Sequence, residues 1–184
     1  MIELKDLTIN DIAPDMLLNF DHRSMITKMW VDRSGSWELT AASDVHEWDK
    51  EKRMWASGYL RSQLEQGGSV TAAFDGDNIV GFSSIDGDLS GERAKYANLT
   101  MLFVDDRWKR KGIGRKLFDR ICTNAARMGA DKLFISAVAS YETIAFYFSM
   151  GCEDAKEIIS DFIDTDEDRC LEFSLEDLSI RQKI

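Results

Sequence analysis

The part of this sequence that most restricts its fold runs from Lys95 to Val138. A strand pattern ends at Val104, a helix pattern follows it to Met128, and the run LFISAV (133–138) is typical of a buried strand. A helix that connects two strands of one sheet must cross over that sheet, which makes the two strands parallel or nearly parallel. The sequence therefore predicts an α/β chain (mixed α+β) built on a mixed sheet.

Weaker patterns on either side complete the predicted architecture. The runs SVTAAF and IVGFSSID, joined by turn residues, predict a β-hairpin within 69–86, whereas residues 21–44 look irregular apart from a turn at 33–35. The other predicted elements are a strand at 1–8, a helix at 12–20 capped by Asn10, a helix capped by Asp44 that runs through Trp48, Trp55 and Leu60 to Gly67, a helix after Ser140 to Met150, and closing strands at 153–159 and 170–175. Together they predict a single domain, 1–184, with a central, mixed and mostly antiparallel β-sheet of six to seven strands flanked by about four helices.

The composition argues against several classes of protein. The chain has 184 residues, 44% of them apolar, and a net charge of −10. It is therefore expected to be globular and not to bind nucleic acid, which needs a broad positive face. The sequence has no run of about 18 apolar residues and no secretory pattern at its N-terminus, so we expect a cytoplasmic protein without a membrane segment. Its three cysteines lack metal-ligand spacing, and we expect no metal.

Positive charge is concentrated around two glycines. Six basic residues and no acidic one lie between Arg107 and Lys116. The unpaired N–H groups of a helix N-terminus, the close backbone approach that Gly112 and Gly114 permit, and the surrounding cations together favour a phosphate-binding site. The ATP-binding spacing GxxxxGKS/T is absent, and Leu117 stands where the dinucleotide pattern GxGxxG needs a glycine. A merely solvated basic helix start is the alternative.

A second motif, SYETIAFYFSMGC (Ser140 to Cys152), places Phe146 and Tyr147 on a helix shortly before a glycine. Together with LFVDDRWKRKGIGRKL (102–117), it resembles the GNAT superfamily of acetyl-CoA-dependent N-acyltransferases. The resemblance is strongest over about residues 69–158, the expected acetyl-CoA-binding part. Residues 1–68 match only loosely and correspond to the part that shapes the acceptor site. The family's loop pattern, Q/R-x-x-G-x-G/A, has Lys in its first position here.

The resemblance implies acetyl-CoA as cosubstrate and an amine as acceptor. It implies that main-chain groups of Leu102, Phe103 and Val104 bind pantetheine, and that Ser140 bonds to a pantetheine amide. The pyrophosphate-binding residues that it implies are Lys109, Arg110, Lys111, Gly112, Ile113, Gly114 and Arg115. Tyr147 is the implied general acid, which gives a proton to the leaving sulfur. Arg107 and Lys116 are expected to be merely solvated.

The general base and the acceptor site stay open at this stage. The predicted strand from Lys95 to Val104 contains no carboxylate. The candidates for the base are Asn98 and Thr100 acting through a water, Asp86, Asp88 or Glu92 on the preceding hairpin, and His22 or His46. Trp30 and Trp37 are candidates for an acceptor pocket around a cation. Trp48 and Trp55, seven residues apart, have the spacing of one helix face and are expected in the core.

The leading hypothesis is an N-acetyltransferase that transfers the acetyl group of acetyl-CoA to a primary amine of a small molecule or peptide, by direct attack in a ternary complex. A longer acyl-CoA donor and a non-catalytic acyl-CoA-binding sensor are the alternatives. The identity of the acceptor and the oligomeric state, for which a homodimer is one option, stay open.

Overall fold

A computed structural model describes residues 1–178. The strands are β1 (Glu3–Asp6), β2 (Arg23–Asp32), β3 (Trp37–Glu47), β4 (Ser69–Asp75), β5 (Asn78–Ser90), β6 (Tyr96–Val104), β7 (Lys132–Ala137), β8 (Glu153–Asp154) and β9 (Arg169–Ser174). The helices are α1 (Lys50–Glu65), α2 (Ile113–Arg127) and α3 (Tyr141–Ser149). Seven strands form one sheet in the order β1-β4-β5-β6-β7-β9-β8, and β2 pairs with β3 in a separate hairpin.

The sheet confirms the mixed, mostly antiparallel arrangement. Strands β6 and β7 pair in parallel, as the crossover through α2 requires, while the other pairings in the sheet are antiparallel. The part of the chain that the structure describes holds three α-helices and several short 3-10 turns, against the four or so helices expected.

The helices cover both faces of the sheet. Alternate residues of β4 separate the two sides, because successive side chains of a strand point to opposite faces. Val70 and Ala72 join the core cluster that contains Leu60 of α1, whereas Ala73 packs with Ile113 and Leu117 of α2. Helix α3 packs on the α2 side, in the cluster that contains Phe118.

The predicted helix at 12–20 is wrong. The chain forms a short 3-10 turn at Ile9–Asp11 and further turns up to residue 19. Pro14 explains the difference, because it disfavours the helical conformation of the residue before it and supplies no backbone N–H. The apolar side chains of this segment, including Leu17 and Phe20, are nevertheless buried against the α1 side of the sheet.

Residues 21–44 are not irregular but contain most of the β2–β3 hairpin. Ser34 and Gly35 have positive φ angles of 57° and 89° and form its turn, which the sequence does indicate. The strands themselves were missed because few of their side chains are buried, so they lack the alternation of apolar and polar residues that marks a half-buried strand.

The start of α1 also differs from the expectation. Asp44 lies in β3, and Asp49 caps the helix by accepting a hydrogen bond from the Lys52 amide at 2.7 Å. Trp48 therefore precedes the helix, where it is 7% exposed, while Trp55 on the helix is 50% exposed. The core expectation is correct for Trp48 and wrong for Trp55. The predicted closing strand at 153–159 is reduced to the two residues of β8.

Candidate functional site

The two parallel strands separate to form a fork. Strand β6 pairs with β7 only over Tyr96–Asn98, opposite Lys132–Phe134. Beyond Asn98, β6 remains paired with β5, where Leu102, Phe103 and Val104 lie opposite residues 83, 82 and 81, while β7 continues beside β9. Because the backbone groups of a strand alternate in direction, about half of those in this stretch point away from β5 into the gap. The three residues expected to bind pantetheine therefore line one side of the fork.

An ion pair between an exposed arginine and a buried carboxylate fixes the open end of β6. The Arg107 guanidinium donates to both carboxylate oxygens of Asp105, at 2.9 and 2.6 Å, and to the Asn19 carbonyl at 2.7 Å. Asp105 is 1% exposed and also accepts from the Asp21 amide. Burial alone would raise the pKa of Asp105, but the bonds from Arg107 and the amides outweigh it and lower that pKa. The expectation that Arg107 is merely solvated is therefore wrong. Arg107 holds the strand end against the N-terminal segment.

Residues 109–112, called the glycine loop below, lead from this strand end into α2. Arg110 and Gly112 have positive φ angles of 62° and 79°, and Gly112 is the N-cap of the helix. A Cβ atom added to Gly112 would meet no heavy atom within 4 Å, so the space in front of the helix N-terminus is open. The amides of the first turn, from Ile113 to Arg115, have no acceptor within the helix. This arrangement suits an anion such as a pyrophosphate.

The lysines of the loop also make contacts within the protein. Lys109 pairs with Asp106 and donates to the Arg23 carbonyl at 3.1 Å. The ammonium of Lys111 lies 4.2 Å from the centre of the Trp108 ring. These contacts shape the loop, and the charges remain at its exposed surface. Lys116 is exposed, in agreement with the expectation.

Tyr147 lies on α3, which packs against α2. Its neighbour Phe146 packs against α2, so that a Cβ on Gly114 would be 3.2 Å from the Phe146 ring. Tyr147 is 7% exposed, and its ring lies 6.2 Å from that of Phe118. Burial, and to a smaller extent Cys152, raise the pKa of Tyr147 well above its ordinary value. The phenol therefore stays protonated at neutral pH, although the raised pKa makes it a weaker acid than an exposed tyrosine.

Ser140 is the N-cap of α3. Its side chain is buried, accepts from the Thr143 amide at 3.2 Å and lies 2.8 Å from the Thr143 hydroxyl. The backbone at this point also touches the hairpin, because the Trp30 amide donates to the Ala139 carbonyl at 2.7 Å. The structure thus gives Ser140 a capping role. The same hydroxyl would have to serve both this cap and the expected bond to a pantetheine amide.

Several polar side chains meet at the apex of the fork, where β6 leaves β7. The Asn98 amide donates to Asp86 at 3.1 Å, and the hydroxyls of Ser84 and Thr100 lie 2.7 Å apart. Burial raises the pKa of Asp86 to about 6, with a further contribution from Asp88 that opposes the Asn98 bond. Of the candidates for the general base, the structure places Asp86, Asn98 and Thr100 together at this point.

The remaining candidates lie elsewhere. His22 packs between Trp48 and Phe103, at ring distances of 4.9 and 5.0 Å. Burial and then the charge of Lys109 lower the pKa of His22 to about 4, which makes it a weak base. His46 is exposed on the hairpin next to Asp44. Asp88 is exposed, and the Glu92 amide bonds to Glu157 in the loop before β6.

Trp30 and Trp37 surround a cation of the chain itself. The Arg169 guanidinium lies 5.3 Å from the Trp30 ring, 4.8 Å from the Trp37 ring and 5.0 Å from the Phe148 ring. Asp154 accepts two hydrogen bonds from Arg169, at 2.6 and 2.7 Å. These two tryptophans therefore do not form an acceptor pocket but attach the β2–β3 hairpin to β9 and α3.

The sequence contains two further signals for this site. Gly87 interrupts a strand pattern in IDGD, which is a recognised sign of a bulge, and it lies beside Asp86. The pairing of Arg107 with Asp105 follows from their proximity in the sequence, but its link to residues 19–21 depends on the fold.

Within residues 1–178, no helix is long and apolar enough to cross a membrane. Over the same residues, His, Cys, Asp and Glu side chains form no group of three or more that could hold a metal ion.

Comparison with known proteins supplies the family. The model of the acetyltransferase (GNAT) domain family matches residues 42–161. A search of curated proteins finds no significant match. Among solved structures, the chain is similar to a putative streptothricin acetyltransferase from Bacillus anthracis strain Ames in complex with acetyl coenzyme A, with a TM-score of 0.67 and 14% identity over 95% of this chain and 98% of that one.

Two further solved structures show the same fold. An aminoglycoside 6′-acetyltransferase type Ii has a TM-score of 0.61 and 15% identity, over 94% of this chain and 97% of that one. The ribosomal-protein-S18-alanine N-acetyltransferase from Escherichia coli has a TM-score of 0.58 and 16% identity, over 95% and 94%. At such identities the likeness concerns the fold alone.

Proposed function

The chain belongs to the GNAT acetyltransferase family, and from that premise we propose that it transfers the acetyl group of acetyl-CoA to a primary amine by direct attack in a ternary complex. The observation that carries the proposal is the β6–β7 fork, which leads directly into a glycine-capped helix N-terminus. The fork offers unpaired backbone groups to an extended chain, and the helix start offers amides to phosphates. Pantetheine and pyrophosphate are joined in this order in coenzyme A.

We assign the cofactor contacts by the chemistry of each segment. Backbone groups of Leu102, Phe103 and Val104 bind pantetheine along the fork, and the amides from Gly112 to Arg115 bind the pyrophosphate. The side chains of Lys109, Arg110 and Lys111 supply positive charge around it. The open space at Gly112 supports this assignment, because a side chain there would lie in front of the helix N-terminus. The assignment of Ser140 as a pantetheine contact has less support, since its hydroxyl already caps α3.

Tyr147 is the proposed general acid. Proton donation to the leaving sulfur requires a group that is still protonated at neutral pH and lies near the loop that holds the cofactor. Tyr147 is protonated at neutral pH, which meets the first requirement, and the contact of its neighbour Phe146 with Gly114, at the start of α2, supports the second. The backbone amide near Val104 is the proposed donor to the oxygen that becomes negatively charged when the amine attacks.

The proposed acceptor is a primary amine of a small molecule or peptide. The similar structures include proteins named for streptothricin, an aminoglycoside and a ribosomal-protein alanine, and the chain's net charge of −10 favours a cationic acceptor. We further propose that residues 1–184 act as one acetyltransferase domain, in which residues 1–68 shape the acceptor site. The β2–β3 hairpin and α1 both lie within that part.

A thiol-release assay tests the proposal. The protein is mixed with acetyl-CoA and, one at a time, with members of an amine panel that covers polyamines, aminoglycosides and N-terminal peptides. The expected result is thiol release that depends on one class of amine, with formation of the N-acetyl product seen by mass spectrometry. Tight acetyl-CoA binding without turnover on any amine would instead favour the sensor. Turnover only with longer acyl-CoA donors would favour the longer-chain acyltransferase.

A further inference from the structure

The carboxylate of Asp86 is placed at the apex of the fork by an irregularity in the sheet. Ile85 pairs with Leu99 and Leu89 pairs with Ala97, so three residues of β5 lie opposite the single residue Asn98 of β6. Residues 86–88 therefore bulge out of the ladder. Asn98 is also the last residue of β6 that pairs with β7, and it donates a hydrogen bond to Asp86 at 3.1 Å. Asp86 is thus in direct contact with the residue at which the fork opens.

The bulge is fixed by close backbone packing against the end of α1. A Cβ atom on Gly87 would lie 2.1 Å from the Gln66 carbonyl oxygen, and a Cβ on Gly68 would lie 2.3 Å from the Ile85 carbonyl oxygen. Only glycine allows two backbones to approach this closely. The Asp86 backbone therefore has a fixed position, as a group that acts at one point of a reaction needs.

One oxygen of Asp86 is left to accept a further hydrogen bond. Oδ2 accepts a hydrogen bond from the Asn98 amide, whereas Oδ1 is buried and accepts from no donor among residues 1–178. A buried carboxylate oxygen without a donor is costly to the folded state. The N–H of an acceptor amine at the apex would satisfy it.

We propose that Asp86 is the general base of the reaction, an inference that rests on the proposed acetyl transfer. The acceptor ammonium gives one proton to Oδ1 of Asp86, directly or through one water, and the proton passes on to solvent. The freed lone pair of the nitrogen forms the N–C bond and the thioester oxygen becomes negatively charged; the C–S bond then breaks, and Tyr147 gives its proton to the sulfur. The nitrogen loses its second proton through solvent to the Tyr147 phenolate, so that one proton is released in all.

The groups around Asp86 set its proton affinity. Burial favours the protonated form most strongly, Asn98 on β6 favours the ionised form, and Asp88 on the same strand adds to the effect of burial. Burial raises the pKa of Tyr59 of α1, and the charges of Asp164, from the segment before β9, and of Asp86 add to it. A pKa of about 6 leaves Asp86 ionised at pH 7 and more basic than an ordinary aspartate, as suits a base that works near neutral pH.

The test compares Asp86→Asn with Asp88→Asn, a matched control that removes the same charge from an exposed position of the same bulge. The asparagine at 86 keeps an oxygen that can accept from Asn98. Each protein is assayed with acetyl-CoA and two nucleophiles, an alkyl amine that is protonated at pH 7 and an alkoxyamine that is neutral. Acetyl-CoA binding is measured separately by calorimetry.

Asp86→Asn is expected to lower kcat with the alkyl amine by about 100-fold, to lower it much less with the alkoxyamine, and to leave acetyl-CoA binding unchanged. As the pH is lowered past about 6, the wild-type rate with the alkyl amine should decrease. This decrease should be absent with the alkoxyamine. Equal rates of Asp86→Asn and wild type with the alkyl amine, or equal losses with both nucleophiles, would overturn the inference and leave acetyl transfer intact. A wild-type protein that binds acetyl-CoA but acetylates neither nucleophile would overturn both.

Discussion

Replacing Arg169 should weaken the attachment of the β2–β3 hairpin to β9 and α3. Its guanidinium lies within 5.3 Å of the centres of three aromatic rings, two from the hairpin and one, Phe148, from α3. The Arg169 side chain is 7% exposed, whereas its partner Asp154 is 52% exposed. Loss of the arginine would therefore remove contacts that join the two parts, while Asp154 would regain water.

The magnitude follows from these contacts. A cation–π contact contributes about 0.5–1 kcal/mol, and three of them contribute about 2 kcal/mol. The lost packing of the aliphatic stem adds to this, and the unpaired Asp154 adds little because it is half exposed. We expect Arg169→Ala to lower the free energy of unfolding by about 3 kcal/mol. Arg169→Met, which keeps most of the stem, should cost about 2 kcal/mol.

Urea unfolding followed by tryptophan fluorescence measures both variants, with Lys116→Ala as an exposed control that should change stability by less than about 0.5 kcal/mol. A double-mutant cycle with Trp37→Leu isolates the contact itself. The reasoning would be refuted by an Arg169→Ala variant no less stable than the control, or by effects of Arg169 and Trp37 that simply add.

Two further predictions concern Tyr147, the proposed general acid, and the ion pair between Asp6 and Arg120. Tyr147→Phe should lower kcat much more than it weakens acetyl-CoA binding, and equal kcat for variant and parent in the thiol-release assay would remove its role as acid. Burial alone would raise the pKa of Asp6, but hydrogen bonds from Arg120, Asn124 and Thr71 outweigh it and lower that pKa to about 2. Because the unfolded chain then binds the proton more tightly, the pair should contribute about 1 kcal/mol above pH 4, after allowance for solvent screening, and lose it between about pH 4 and pH 2. Asp6→Asn should lack this part of the acid dependence in urea melts, and an unchanged dependence would contradict the assignment.

The sequence predicted best the part of the fold in which local pattern and burial agree. Strand β6, the glycine loop, α2 and β7 each have one dominant pattern, and the crossover rule then fixes their parallel pairing. The hairpin was missed because most of its side chains face solvent, so that burial leaves no periodic trace in the sequence.

The site was predictable where one segment supplies it and not where distant segments meet. Gly112, Gly114 and the amides between them form one continuous segment at the start of α2, and the pattern marks them directly. The cation between Trp30 and Trp37 comes from Arg169, on a strand far along the chain. The sequence therefore indicated that the two tryptophans surround a cation, but not that the cation is Arg169. The placement of Asp86 likewise depends on packing between its bulge and α1.

The most direct test of the central claim is the calorimetric affinity of acetyl-CoA for Gly112→Val compared with Gly129→Val. Both glycines have positive φ, 79° and 92°, both have open space at the Cβ position, and they lie at opposite ends of α2. The backbone strain of the two substitutions is therefore similar, and only Gly112 lies at the proposed pyrophosphate site. Gly112→Val should weaken binding at least about tenfold, the loss of one charge-assisted hydrogen bond, while Gly129→Val binds as wild type. Salt-sensitive acetyl-CoA binding that survives Gly112→Val unchanged would contradict the account.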